Sequence, residues 1–482
     1  MNGLLFFRLH GAVMLLEAVT MVPALLTALY FGDGDASAFF MTIGILLLIG
    51  LPLWLLLKPQ EKNLRPRDGV LVVASAWILL SIFGALPYLF SGVIPHFPDA
   101  LFESVSGFST TGATILQNME GLPRGILFWR HFTLWIGGMG VLVLTLALLP
   151  HLSGRTSLLV RTESPGPSLS KLVPRLGDSA KILYLIYTAL TSLLAVALLG
   201  AGLTPYDALL HAFSTAGTGG FSNYTAGIAH FGSRAVYIII TVFMFLFGIN
   251  FALFYRLLAG PRREIVKSEE LRWYLCIVLV SIVAVALFIF PTHGNILSSL
   301  QDSAFHVTSV ISTTGFSSEG MILWPQTARM LLFLLMLLGA CAGSTAGGMK
   351  IVRFALLCKM TSREIRHTFQ PRKMQVVRFE GKGIEEPMLG RISAFLFAYV
   401  SFILLGTLLI SFENRFDMPT NLSAALACVS NVGPGFAMVS SLEDFANYGS
   451  FAKIVLSVLM LAGRLEFFPI LVLLTPTAWR KQ

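Results

Sequence analysis

Ser109-Thr110-Thr111-Gly112-Ala113 decides the reading of this 482-residue chain, because it returns three more times in altered form. The other copies are Ala216-Gly217-Thr218-Gly219-Gly220, Ser312-Thr313-Thr314-Gly315-Phe316 and Ser430-Asn431-Val432-Gly433-Pro434. With Gly112, Gly219, Gly315 and Gly433 as the central glycines, the spacings are 107, 96 and 118 residues (219−112, 315−219, 433−315). Each copy follows a short apolar run and precedes a polar, Gly-rich segment and then a long hydrophobic helix. Four glycine-centred strands in one chain predict a pseudo-fourfold ring, whose converging carbonyls can replace the hydration shell of a cation. The competing reading, four unrelated loop glycines, is disfavoured by the fixed order of the flanking segments.

Composition sets the solvent. The chain is 55% hydrophobic and 12% charged, with a mean hydropathy of +0.77, whereas soluble domains carry about 25% charged residues. It is therefore read as an all-α polytopic membrane protein. The net charge of +9 is read as cytoplasmic loops under the positive-inside rule, so no nucleic-acid partner is expected. Cys276, Cys341, Cys358 and Cys428 lie in or beside apolar segments without ligand spacing and read as small buried hydrophobes. The first apolar run is long and carries Glu17, unlike a cleaved signal peptide.

About 20 apolar residues span a bilayer. Residues 4–31 and 38–57 give two such helices, joined by Gly32-Asp33-Gly34-Asp35, and form an N-terminal extension over 1–60. Four units follow, over 61–155, 156–265, 266–370 and 371–482. Each has a spanning helix, a short half-helix, the glycine strand and a second spanning helix. The spanning pairs are predicted near 70–91 and 126–149, 181–203 and 234–259, 271–291 and 328–358, and 392–412 and 451–475, making about 10 spanning helices in all. The four runs before the glycines are about 12 residues long, too short to span, and read as re-entrant half-helices. Asp99, Asp207, Asp302 and Asn421 lie 13, 12, 13 and 12 residues before their glycines and are predicted at the half-helix starts, with Pro98 and Pro205 nearby. The negative ends of the half-helix dipoles would then favour a cation on the axis.

Basic residues set the topology. Lys58, Lys62, Arg65 and Arg67 lie in one loop; Arg155, Arg161, Lys171, Arg175 and Lys181 in a second; Arg256, Arg262, Arg263, Lys267 and Arg272 in a third. Segment 350–391 is the most basic, with Lys350, Arg353, Lys359, Arg363, Arg366, Arg372, Lys373, Arg378, Lys382 and Arg391, and the tail ends in Arg480-Lys481. These face the cytoplasm under the positive-inside rule, with both termini inside and the glycine strands opening outward.

Two local anomalies stand out. The second helix of the third unit is interrupted by residues 339–348, Gly-Ala-Cys-Ala-Gly-Ser-Thr-Ala-Gly-Gly. Broken backbone at bilayer depth is tolerated only where it is buried in protein or lines a wet cavity. The stretch is not a phosphate-binding loop, because Met349 stands where the lysine is required. Arg464 lies inside the apolar run 451–475, where a charge costs roughly 2.5–3.5 kcal/mol even on the mildest scale. A local pair with Glu466 is the plain alternative, although residues two apart on a helix do not face each other. The anomalies together predict that Arg464 hydrogen-bonds the 339–348 loop and holds it across the conduction path.

With these residues on the page, the chain resembles the bacterial Trk-type potassium uptake proteins, TrkH and TrkG, whose superfamily includes KtrB and the plant high-affinity potassium transporters. The resemblance covers essentially the whole chain. It rests on residues 102–107 (Phe-Glu-Ser-Val-Ser-Gly), 135–140 (Trp-Ile-Gly-Gly-Met-Gly), Gly343-Ser344-Thr345, Asn431-Val432-Gly433-Pro434-Gly435 and Gly463-Arg464-Leu465-Glu466. It implies a K+ filter made by Thr110, Thr111, Gly112, Gly217, Thr218, Gly219, Thr313, Thr314, Gly315, Asn431, Val432 and Gly433. Relatives that prefer sodium often carry serine in the first strand, so Gly112 favours potassium. The resemblance further implies a gate of Gly343, Ser344, Thr345, Gly347, Gly348 and Arg464. Ala346 is a departure, since another glycine is expected there. A homodimer and a cytosolic TrkA-type ring of nucleotide-binding regulatory subunits are also implied. The basic loops would dock that ring, and membrane lipid attraction accounts for the same charges equally well.

The function expected is potassium uptake across the bacterial inner membrane through a gated, selective pore. No nucleotide is expected on this chain itself. The alternative is a secondary transporter coupled to H+ or Na+, working by alternating access at a broken helix. Two inverted halves would mean such a carrier, and four units of one orientation a pore. No enzyme is expected, because the nine histidines form no ligand pattern and no catalytic constellation stands out.

Overall fold

The computed structural model describes residues 3–57, 66–140, 176–260, 263–318, 323–373, 375–435 and 445–476. The expected basic residues Lys58, Lys62, Arg65, Arg155, Arg161, Lys171, Arg175, Arg262, Arg480 and Lys481 lie outside the described residues, as does the end of the helix expected over 126–149. Among the described residues, six helices are long and apolar enough to cross a membrane: Gly3–Phe31, Ala36–Leu55, Asp68–Phe90, Ala180–Gly200, Glu269–His293 and Glu386–Ser411. Side chains such as Leu48, Leu287 and Phe397 stand exposed on them, as lipid-facing residues must. Their other faces pack inward, with Met21, Phe39, Trp77 and Tyr274 buried.

The other four expected crossings are the second helices of the units, and three of them are broken. The first is described as Arg124–Gly138. In the second, Arg234–Phe247 and Phe251–Ala259 meet at a 92° bend, although an unbroken helix is expected there from the sequence. Asn250 makes the bend by accepting from the Ala252 N–H at 2.9 Å, which starts a new helix. The third is broken between Gln326–Leu338 and Ile351–Phe369. The fourth, also expected unbroken, stops at Arg464 and restarts as Phe468–Leu474. There Glu466 and Phe467 both have positive φ, and Pro469 opens the next helix, where its missing N–H does no harm. Among the described residues the only strands are Arg378–Phe379 and Lys382–Gly383, an antiparallel hairpin.

The short helices are Phe97–Phe108, Pro205–Gly217, Ile296–Ile311 and Met418–Ser430. Two starts differ from the expected ones. The third begins at Asn295, whose side chain accepts from Leu297 N, so Asp302 sits mid-helix, bonded to His293 and Tyr237. The fourth is capped by Asp417, not Asn421. The N-terminal extension docks through its acidic turn. Asp33 and Asp35 accept from Arg124 N and Ile126 N and so cap the Arg124–Gly138 helix. Two of the four cysteines depart from expectation: Cys341 and Cys428 are buried, while Cys276 is exposed and Cys358 half-buried.

Candidate functional site

All four short helices end in the same way. One or two residues past the last helical residue stands a left-handed residue that is not glycine: Thr110 (φ 57°), Thr218 (φ 55°), Thr313 (φ 57°) and Asn431 (φ 54°). Their N–H groups bond back three residues, to Gly107, Thr215, Val310 and Cys428. The next N–H groups, of Thr111, Gly219, Thr314 and Val432, bond back five residues, to Ser106, Ser214, Ser309 and Ala427. This pair of bonds is the Schellman motif, which normally recruits glycine at the left-handed position. A β-branched threonine there is strained, and such strain gathers at functional sites.

The chain then passes through Gly112, Gly220, Gly315 and Gly433, all with positive φ. In the second unit the backbone register is one residue later than the sequence alignment places it: Gly220, not Gly219, stands level with Gly112. Gly217 accordingly occupies the position of Ser109, Ser312 and Ser430, at the end of its helix. The four glycines contact one another's units in cyclic order. A Cβ added to Gly112 would collide with the carbonyl oxygen of Gly219, one on Gly220 with that of Thr314, one on Gly315 with that of Val432, and one on Gly433 with that of Thr111. Each glycine thus lies against the carbonyl that precedes the next glycine, and the fourth closes on the first. A cavity of about 410 Å³ is lined by Gly112, Gly220, Gly315 and Pro434 and by the residues that follow them. Thr110 Oγ1 is buried without a protein hydrogen-bond partner.

The 339–348 segment lies against the other end of this ring. Gly347 N donates to Thr313 Oγ1 at 2.7 Å, and a Cβ on Gly347 would strike the Ser430 carbonyl. The segment is stitched to the bend of the second unit: Cys341 N donates to the Gly248 carbonyl, and Phe251 N to the Gly343 carbonyl. Ser344 Oγ turns back to the Cys341 carbonyl. Gly348 packs against Gly339, each with positive φ. Arg464 donates to the Thr345 carbonyl at 2.9 Å and to the Gly137 and Gly138 carbonyls at 2.5 and 2.8 Å. It therefore joins the first, third and fourth units. Glu466 is not its partner; that carboxylate pairs with Arg353 at 2.5 Å.

Several residues here escaped the sequence reading. Arg130 and Glu103 form a buried ion pair at 2.6 Å, and the Arg130 guanidinium lies 3.4 Å over the Phe221 ring. Glu270, buried, accepts from Ala342 N at 2.6 Å. Lys350 and Arg353, expected among the basic loop residues, are instead buried: Lys350 donates to the Ala346 carbonyl and Arg353 pairs with Glu466. The signal was available: charges inside apolar runs carry the same expectation that singled out Arg464.

Comparison with known proteins agrees over the full length. A family model described as TrkH, cation transport protein, matches residues 35–480. The chain is 36% identical over 480 residues to the Trk system potassium uptake protein TrkH of Escherichia coli (strain K12), covering 98% of this chain and 99% of that one. It is 37% identical over 488 residues to the TrkH protein of Halomonas elongata, covering 99% of each. The crystal structure of the potassium transporter TrkH from Vibrio parahaemolyticus matches with a TM-score of 0.89 at 34% identity, over 100% of both chains.

Proposed function

The chain belongs to the TrkH family of cation transport proteins, and from that membership we propose that it is a gated potassium-uptake pore of the bacterial cytoplasmic membrane. The observation that carries the proposal is the cyclic packing of Gly112, Gly220, Gly315 and Gly433 on one another's preceding carbonyls. Four such turns of one orientation form a pseudo-fourfold ring of four pore repeats. Carbonyls of Thr110 and Thr111, Thr218 and Gly219, Thr313 and Thr314, and Asn431 and Val432, with those of the glycines, would strip and replace the hydration shell of K+. Rocking of two inverted halves has no counterpart in this closed ring, so the pore reading is preferred to the carrier.

The 339–348 loop is the gate in this reading. It bonds to Thr313, at one end of the ring, and Arg464 ties it to the opposite repeat. The positive charge of Arg464 repels cations while the loop is in place. The basic residues Lys359, Arg363, Arg366, Lys373 and Arg378 surround a concavity of about 720 Å³ on the cytoplasmic side, which is the docking face for a cytosolic nucleotide-binding ring. The working assembly is a homodimer with both termini inside.

The test is ion flux through the purified protein in liposomes, with K+, Na+ and Rb+ in competition. Uptake of K+ and Rb+ in preference to Na+, without an imposed proton or sodium gradient, is the expected result. Flux that requires such a gradient would replace the pore with a coupled carrier.

A further inference from the structure

Nine residues before each ring glycine, on the inner face of the short helix, stand Glu103, His211, His306 and Ala424 (112−9, 220−9, 315−9, 433−9). The first three are fully buried polar side chains. Each bonds the segment that leaves its own ring glycine. Glu103 accepts from Thr114 Oγ1 at 2.9 Å and from Ile115 N at 3.0 Å. His211 Nε2 and Ser222 Oγ are 3.2 Å apart, and His306 Nε2 and Ser318 Oγ are 2.9 Å apart.

The first two braces share their detail. Thr114 Oγ1 accepts from Leu116 N and donates to Glu103. Ser222 Oγ accepts from Tyr224 N, which leaves its proton for His211 Nε2. That nitrogen is free to accept, because Nδ1 of the neutral ring donates to the Asp207 carbonyl at 2.9 Å. The hydroxyl two residues after the glycine therefore plays one part in both units. Arg130 joins the two units by donating to Glu103 and to the Ser222 carbonyl.

Resting on the pore reading above, we propose that Glu103, His211 and His306 are positioning residues for ion selection. They clamp each outgoing strand to its short helix and so fix the spacing of the ring carbonyls. A carbonyl cage discriminates among ions only while its geometry and dipole number resist relaxation around the wrong ion. The ring glycines have no side chains with which to hold themselves, so the restraint has to come from behind the strand. The fourth repeat has alanine at this position, and its strand is set instead by Asn431, which donates to Thr111 Oγ1 and to the Met460 carbonyl. The braces are unequal in kind, hydrogen bonds to a carboxylate in the first unit and neutral hydroxyl–imidazole bonds in the next two, so the first should be the stiffest.

The experiment measures the K+/Na+ flux ratio in liposomes for Ser222→Ala, Ser318→Ala, His306→Ala, His306→Gln and the double variant His306→Ala/Ser318→Ala. Ser222 and Ser318 are half-buried, and Ser222 lines the cavity, so their truncation removes a brace without opening the core. Each single loss should lower the ratio about two- to tenfold, the worth of one net hydrogen bond, while total K+ flux persists. The double variant should fall no further than its worse single member, and His306→Gln, whose amide still reaches a hydroxyl, should recover most of the ratio. An unchanged ratio in both serine variants, or independent losses in the double variant, would overturn the proposal. If His306→Ala does not insert, the serine variants decide alone. A wild-type protein that passes no K+ would instead overturn the pore reading on which this rests.

Discussion

Arg464 donates to the carbonyl oxygen of Thr345 at 2.9 Å, although 119 residues separate them (464−345), while its second nitrogen reaches Gly137 and Gly138. The last turn of one broken helix thus holds the irregular segment of another against a third. The carbonyls lie where helical bonding ends, in the interrupted 339–348 segment and at the last turn of Arg124–Gly138, and the Gly137 carbonyl also accepts from Gly140 N.

Replacing Arg464 by alanine should release the 339–348 loop and raise basal flux, with ion preference nearly unchanged. Arg464→Lys should give an intermediate effect, because a point charge cannot serve Thr345 and Gly137 together as a planar fork does. Single-channel recording without a cytosolic partner measures this; wild-type open probability in a correctly inserted Arg464→Ala protein would remove Arg464 from the gate.

Gly347 separates gating from selection. Its N–H bonds Thr313 Oγ1, next to the ring. Deleting Gly343 to Gly347 should therefore open the pore and also blur ion preference, unlike Arg464→Ala. Flux ratios of the two variants, compared in the same liposomes, should differ. Equal ratios would mean that the loop does not touch the selecting part of the ring.

The backbone register makes an unequal prediction for adjacent glycines. Gly220 has φ +65° and faces the Thr314 carbonyl, so a Cβ there meets backbone. Gly219 has no positive φ, and a Cβ there meets the end of the Leu134 side chain, which can turn aside. Gly220→Ala should lower the K+/Na+ flux ratio or prevent assembly, whereas Gly219→Ala should stay close to wild type. Gly112→Ser, like Gly220→Ala, meets both a positive φ and a carbonyl, and should weaken discrimination against Na+. The competition flux assay reads all three.

Arg130→Ala should be strongly destabilising, by about 3–5 kcal/mol, because it leaves the buried Glu103 carboxylate without its partner. Thermal unfolding in detergent should show a large drop in midpoint. Arg130→Ala with Glu103→Gln should regain part of the loss, since the second change removes the stranded charge.

On the basic face proposed to dock a cytosolic ring, neutralising Arg366, Arg372 and Lys373 should weaken binding of that ring, most at low salt where charges are least screened. Arg363 should matter less, because it is already paired with Glu364 and Glu386. Pull-down across a salt series tests this, and unchanged capture would place the docking face elsewhere.

Sequence alone settled what depends on one segment at a time. The apolar runs and the charge fraction defined a membrane chain, and the recurring glycines suggested a repeated unit, because bilayer thickness and backbone satisfaction act locally on each helix. Gly339 to Gly348 and Arg464 were legible as anomalies for the same reason. Tertiary structure alone decided what depends on partners distant in sequence. The register of Gly220 is ambiguous in a run with glycine at 217, 219 and 220, and only contact with the Thr314 carbonyl chooses among them. The bends at Gly248 and Glu466 sit inside runs that are apolar enough to continue, yet bonds from Cys341 and the left-handed turn at Glu466 stop them. Glu103 shares no chemistry with the two histidines, and His211 aligns with His306 only once Gly220 rather than Gly219 is taken as the ring glycine. They occupy one position because the fold brings each to the strand that leaves its glycine, and a buried polar group must find a partner wherever the fold provides one.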